Sequence, residues 1–154
     1  MKVAMICTGN ICRSPIGEVV LAHAVSRDPS LASRVVVTSA GTARWHVGEA
    51  MDHRAASALR RAGYEADASL GMWATAEYLS DLDLAIAMTR EHRHDLLERR
   101  PDLDVLLLRE VLGQGTLDLA DPYFGNDDDF DACVRALEEA VPLLLEEIRR
   151  RLDS

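Results

Sequence analysis

Lysine is almost missing: of seventeen Lys and Arg residues, only Lys2 is a lysine. A Walker-type nucleotide loop needs a Gly-Lys pair to reach the terminal phosphates, so that class is excluded. Acidic residues outnumber basic ones, 26 to 17, and the net charge of −9 argues against a general nucleic-acid binder. Cysteine is scarce too. Cys7, Cys12 and Cys133 are too few and too unevenly spaced for the disulfide framework of a small secreted domain. No CxxC or HExxH occurs, and His92 and His94, two apart, would splay on a helix, so no metal site is expected. No stretch approaches the ~18 apolar residues of a membrane span. The opening MKVAMICTGN has too short an apolar run for a cleaved secretory signal. The expectation is a cytoplasmic protein without membrane or nucleic-acid partners.

What is present suits one folded domain over residues 1–154, with 48% hydrophobic and 28% charged residues. Val3 to Ile6 read as a buried strand closed by the turn Thr8-Gly9-Asn10. Ser14-Pro15 then reads as a helix start, Ser14 as N-cap and Pro15 without an N–H to leave orphaned. Ile16, Val19, Val20 and Ala24 supply that helix with an apolar face, and Val35 to Thr38 form a β-branched strand. Strand–helix–strand implies a parallel pair. The alternation continues: a helix capped by Asp52 and ended by Gly63, a short helix over Thr75 to Ser80, and a strand over Leu84 to Met88. Then come a helix from Thr89 to about Arg100, a strand over Leu103 to Leu108, and a long loop from Gly113 to Asn126. A final helix begins near Asp127 with Phe130, Val134, Leu137, Val141, Leu144 and Ile148 on one stripe, and Pro142 is expected to kink it. The fold class is a doubly wound α/β domain with helices on both faces of a parallel sheet.

In such sheets ligands bind beyond the carboxyl ends of the strands. Cys7-Thr8-Gly9-Asn10-Ile11-Cys12-Arg13-Ser14 occupies that place between the first strand and the first helix. Its amides can curl around an anion above the positive end of the helix, and the Arg13 fork can clamp two oxygens. Cys7 at the loop entrance would sit in the same positive field, which favours its thiolate. A thiolate, a guanidinium and a ring of donors together suit attack on phosphorus. A passive anion site or a plain turn remains open on these residues alone, since a Cys ending a buried strand is often a small apolar filler.

The run CTGNICRSP, Cys7 to Pro15, resembles the signature of the low-molecular-weight protein tyrosine phosphatases. Asp121-Pro122-Tyr123-Phe124-Gly125-Asn126 resembles that family's acid-loop motif, and Ser39-Ala40-Gly41-Thr42 also fits. The resemblance spans essentially the whole chain. It implies a four-stranded parallel sheet and a two-step, cofactor-free hydrolysis of phosphotyrosine proteins or small aryl phosphates. Cys7 would be the nucleophile and Asp121 the general acid and then base. Arg13 and the loop positions Thr8, Gly9, Asn10, Ile11 and Cys12 would hold the phosphate. Ser14 would donate to the Cys7 thiolate, with Asn10 and Ser39 pinning the loop. Trp45 and Tyr123 match positions that wall the cleft, and Cys12 matches the partner in a reversible disulfide with Cys7. On chemistry alone Asp118 equals Asp121, Trp45 and Tyr123 could be rim packing, and Cys12 could be a small packed side chain. Cys133 is read as structural, and Asp127, Asp128 and Asp129 as favouring the N-terminus of the last helix. A monomer or weak dimer is expected.

Three departures touch the supporting residues. Ala68 stands where the family commonly carries a His that bonds the loop Asn, Ser69-Leu70-Gly71-Met72-Trp73 replaces an Arg-containing run, and Thr89 replaces a common Asp. The close rival is a protein-arginine phosphatase of the same fold. Such proteins carry Thr where this chain has Ile11, and lack the aromatic pair of the acid motif. An arsenate reductase would need a further redox cysteine pair. A non-catalytic phospho-ligand binder would need neither Cys7 nor Asp121.

Overall fold

The computed structural model describes residues 1–113 and 118–154. Strand β1 (Lys2–Cys7) is fully buried from Val3 onward, as expected of a strand covered on both faces. Its side chains divide by alternation. Val3, Met5 and Cys7 join one core cluster, and Ala4 and Ile6 join the other. β1 pairs in parallel with β2 (Val36–Gly41) on one side and with β3 (Leu84–Ala87) on the other, and β4 (Val105–Leu107) pairs in parallel with β3. The order β2-β1-β3-β4 therefore reverses direction at β1. The crevice at such a reversal, beyond the carboxyl end of β1, is where this class of sheet binds ligands.

The larger core cluster lies under α1 (Arg13–Ser26), α2 (His53–Arg61) and the long α6 (Asp127–Leu152), and the smaller under α3 (Ala76–Ser80) and α4 (Arg90–Arg99). Helix α1 differs from the single apolar stripe expected of it. Every residue from Arg13 to Leu21 is buried, because the helix is wedged between the sheet and α6. Ala24, placed on the stripe by spacing, is only half-buried. Asp52 and Thr89 cap α2 and α4 as expected, and Thr75, expected as the first residue of α3, instead caps it; each accepts from a first-turn amide. Gly63, at φ +94°, follows the end of α2 in the left-handed region.

Several strand ends move, β3 among them, which stops at Ala87 and not at Met88. The strand expected over Leu103 to Leu108 covers only Val105–Leu107, because its partner β3 ends at Ala87, opposite Leu107. With no further partner the chain turns into α5 (Leu108–Val111). The strand expected at Val35 starts one residue later and runs to Gly41. Of the loop over Gly113 to Asn126, residues 114–117 lie outside the described residues, and Pro122–Phe124 form a short 3-10 turn. Helix α6 continues through Pro142, and its start carries a reciprocal cap between Asn126 and Asp129. Among the described residues no helix is long and apolar enough to cross a membrane.

Candidate active site

The loop after β1 is shaped by one residue. Asn10 adopts φ 58°, a left-handed conformation that asparagine tolerates. Its side chain is buried and fully employed. Nδ2 donates to Ser14 Oγ at 2.7 Å and to Ser39 Oγ at 3.0 Å, while Oδ1 accepts from the Met72 amide at 2.9 Å. A backbone donor, the Met72 amide, thus completes the hydrogen bonding of the Asn10 side chain. Glu18 holds that donor's segment, its buried carboxylate accepting from the Ser69 amide and hydroxyl at 2.8 and 2.9 Å. Burial raises the Glu18 carboxyl above the usual carboxylate range, although both Ser69 bonds oppose this.

Ser14 lies 3.0 Å from the Cys7 sulfur. The structure corrects its expected role as N-cap. Helix α1 begins two residues earlier, with Cys12 in the cap position and no side-chain cap. The Ser14 hydroxyl is occupied by Asn10 and Cys7 and cannot also turn back to the helix amides. On the far side, Gly41 lets the end of β2 meet the loop. A Cβ there would stand 2.4 Å from the Thr8 carbonyl oxygen. Thr42 and Ala43 donate to the Cys7 and Thr8 carbonyls at 2.9 and 3.0 Å, so the strand end clamps the loop from the side.

Arg13 is buried, and its Nη1 donates to the Leu119 carbonyl at 3.1 Å. Nη2 lies 3.5 Å from Asp121 Oδ2, which brings the two chain-distant motifs together. Asp121 Oδ1 accepts from the Tyr123 amide at 3.1 Å and so starts the 3-10 turn. Asp118 has a different task. It accepts from the Arg90 amide at 2.8 Å and pairs with the Arg90 guanidinium, whose hydrogen bonds hold its carboxyl below the usual range.

Cys7, Thr8, Gly9, Ile11, Cys12, Arg13, Trp45, Asp121 and Tyr123 line one cavity of about 410 Å³. Asn10 and Ser14 stand behind its wall, 1% and 0% exposed, as supports. Two lining residues had not been singled out. His46 pairs through Nδ1 with Glu49, and Phe124 is 91% exposed, edge-on to Tyr123. Phe124 stood in the quoted motif, whereas His46 carried no signal beyond following Trp45. Arg54, paired with Asp52, lies over the Tyr123 ring at 5.4 Å and braces that wall. Trp45 is 74% exposed and stands at the rim.

The remaining cysteines differ from Cys7 in their surroundings. Burial raises the Cys12 thiol well above its ordinary value, aided by the nearby Asp52 and Asp121 carboxylates. Burial pushes Cys133 up to about 12, which fits a structural thiol in the α6 core. His92, grouped with His94 on sequence, is instead buried on the inner face of α4 four residues before buried Leu96, its ring against Thr8. Among the described residues no cluster of His, Cys, Asp or Glu is arranged to hold a metal ion.

The family model described as low molecular weight phosphotyrosine protein phosphatase matches residues 2–154. The chain belongs to this family. It is 39% identical over 156 residues to the low molecular weight protein-tyrosine phosphatase A of Mycobacterium tuberculosis, covering 99% of this chain and 94% of that one. Among solved structures, a protein tyrosine phosphatase from Entamoeba histolytica with Hepes in its active site superposes with TM-score 0.87 at 28% identity, covering 97% of each chain. A Drosophila arginine phosphatase superposes with TM-score 0.84 at 27% identity, covering 96% of this chain and 98% of that one. The low-molecular-weight phosphatase fold thus accounts for the whole sheet and its helices.

Proposed function

We propose that this phosphatase-family protein hydrolyses phosphotyrosine in proteins, and small aryl phosphates, through a phosphocysteine on Cys7. The observation that carries this reading is the convergence of the Cys7 sulfur, the Arg13 guanidinium and the Asp121 carboxylate on one cavity. Since Asn10 donates to Ser14 Oγ, the Ser14 proton is free to point at Cys7 and favour the thiolate. The first-turn amides of α1 carry no side-chain cap, which leaves them available to the same anion.

In the first step the Cys7 thiolate attacks phosphorus as the bond to the phenolic oxygen breaks, and protonated Asp121 gives its proton to that oxygen. The Arg13 fork and loop amides hold the equatorial oxygens, where positioning and charge stabilisation do most of the work of phosphoryl transfer. In the second step the Asp121 carboxylate takes a proton from water. The water oxygen attacks phosphorus, the S–P bond breaks, and phosphate leaves with the thiolate restored. This chain supplies each group the two steps require.

The aromatic rim of Trp45, Tyr123 and Phe124 offers faces and edges on which a flat aryl group can pack. The deciding experiment compares matched phosphotyrosine, phosphoserine and phosphoarginine peptides. Phosphotyrosine should be turned over fastest by at least tenfold, and preference for phosphoarginine would assign the chain to the rival activity. Cys7→Ser should abolish turnover while still binding phosphate, and wild-type rates in that variant would remove the nucleophile from the scheme.

A further inference from the structure

His92 is 3% exposed, yet its ring does more than fill the core. Nε2 lies 2.7 Å from the hydroxyl oxygen of Thr8, the residue directly after Cys7 and part of the cavity wall. Nδ1 is buried with no hydrogen-bond partner, the one such side-chain atom among the described residues. A buried N–H without an acceptor is rarer and costlier than an unused lone pair, so a neutral ring here carries its proton on Nε2. Burial and then the neighbouring Arg13 charge keep the ring neutral, pushing it down to about 4. Nε2–H therefore donates to Thr8. A hydroxyl has one proton and two lone pairs, and with a lone pair engaged from behind, the proton is free to point into the cavity.

We propose that His92 is a positioning residue that fixes the polarity of the Thr8 hydroxyl, making it a hydrogen-bond donor to an oxygen of the bound phosphate. The opposite arrangement would spend the Thr8 proton on the imidazole and present a lone pair to an anion. Sequence spacing alone does not reveal this link, since the two residues are 84 positions apart. The inference rests on the reading that the Cys7–Ser14 loop holds a phosphoryl group.

The test uses inorganic phosphate as the probe, with its affinity measured by competition against para-nitrophenyl phosphate. Thr8→Val should weaken phosphate about tenfold and His92→Leu about fivefold, both raising KM more than they lower kcat. The double variant should be no weaker than Thr8→Val, because both changes remove the same bond. His92→Gln, whose amide can reach Thr8 in place of Nε2, should return affinity to within about twofold of wild type. Undiminished phosphate binding in His92→Leu, or losses that multiply in the double variant, would overturn the proposal while leaving the phosphatase reading intact. Should His92→Leu fail to fold, nitrogen-15 shifts of the His92 ring in the wild type decide the matter: a proton on Nε2 supports the link, and one on Nδ1 refutes it. A wild type that neither binds phosphate nor hydrolyses aryl phosphates would overturn the functional reading as well.

Discussion

Asp121 and Asp118 show what a single side chain's surroundings decide. Both are aspartates of one loop, yet Asp118 is tied to the start of α4 by Arg90 and Asp121 turns toward Arg13 and the cavity. Asp121→Ala should slow hydrolysis of phenyl phosphate by about 10²–10⁴-fold but para-nitrophenyl phosphate far less, because the better leaving group needs less protonation. Steady-state rates on the two substrates check this, and equal losses would move the acid elsewhere. Gly41 makes a second residue-scale case. Gly41→Ala places a methyl group 2.4 Å from the Thr8 carbonyl oxygen, a backbone atom that cannot swing aside. The loop must shift, and phosphate affinity should fall at least tenfold while the melting curve stays cooperative. An unchanged affinity would show that the strand end and the loop are not in register.

Among the elements, α4 couples the site to stability through His92. The unfolded imidazole takes a proton near the usual 6.5, whereas the folded one resists until about 4, so between those values the unfolded state binds more protons. Stability contributed by the neutral ring is therefore full above pH 6.5 and is lost as pH falls toward 4, by about 3 kcal/mol in all. The ring faces Arg13, which opposes its protonation, and Asp121 and Asp118, which favour it. Glu18 on α1 acts with the opposite sign as its raised carboxyl protonates, so the informative quantity is a difference. Urea unfolding of wild type and His92→Gln across pH 4–7 should show a slope that the variant lacks.

The elements also mark where spacing in the sequence carries information. β1, α2, α4 and α6 were readable because caps such as Asp52, Thr89 and the Asn126–Asp129 pair are local, and because apolar period and length agree. The end of β4 was not, since it is set by where β3 stops 20 residues earlier. The helix start at Arg13 was misplaced by two residues because Ser14 looks like a cap until Asn10 and Cys7 are brought beside it. The Met72 amide that holds Asn10 Oδ1 is a backbone group, invisible in side-chain identities. The same holds for His92, whose partner Thr8 is reached only through the pairing of β1 with β3.

For the molecule as a whole, the site joins parts that are otherwise separate. The loop after β1, the end of β2, the first turn of α4 and the loop of Asp121 all meet around the Cys7 cavity. A ligand that binds only this assembled state stabilises the entire fold. Phosphate at about 100 times its dissociation constant should contribute about 2.7 kcal/mol and raise the melting temperature by roughly 5–10 °C. Arg13→Lys keeps one charge but loses the planar fork, and should lose most of that shift. A full shift in this variant would mean that the ion binds elsewhere.

β1 is hydrogen-bonded on both edges and covered on both faces, and Cys7 is its last residue. Amides of that strand should exchange with deuterated solvent only when the whole domain opens, while Trp45 and Phe124 lie at the exposed rim. The Cys7 sulfur is therefore moored to a strand covered on both faces and paired on both edges. The surface that greets a substrate can drift in sequence, exchanging one aromatic for another, without disturbing the anchor beneath it.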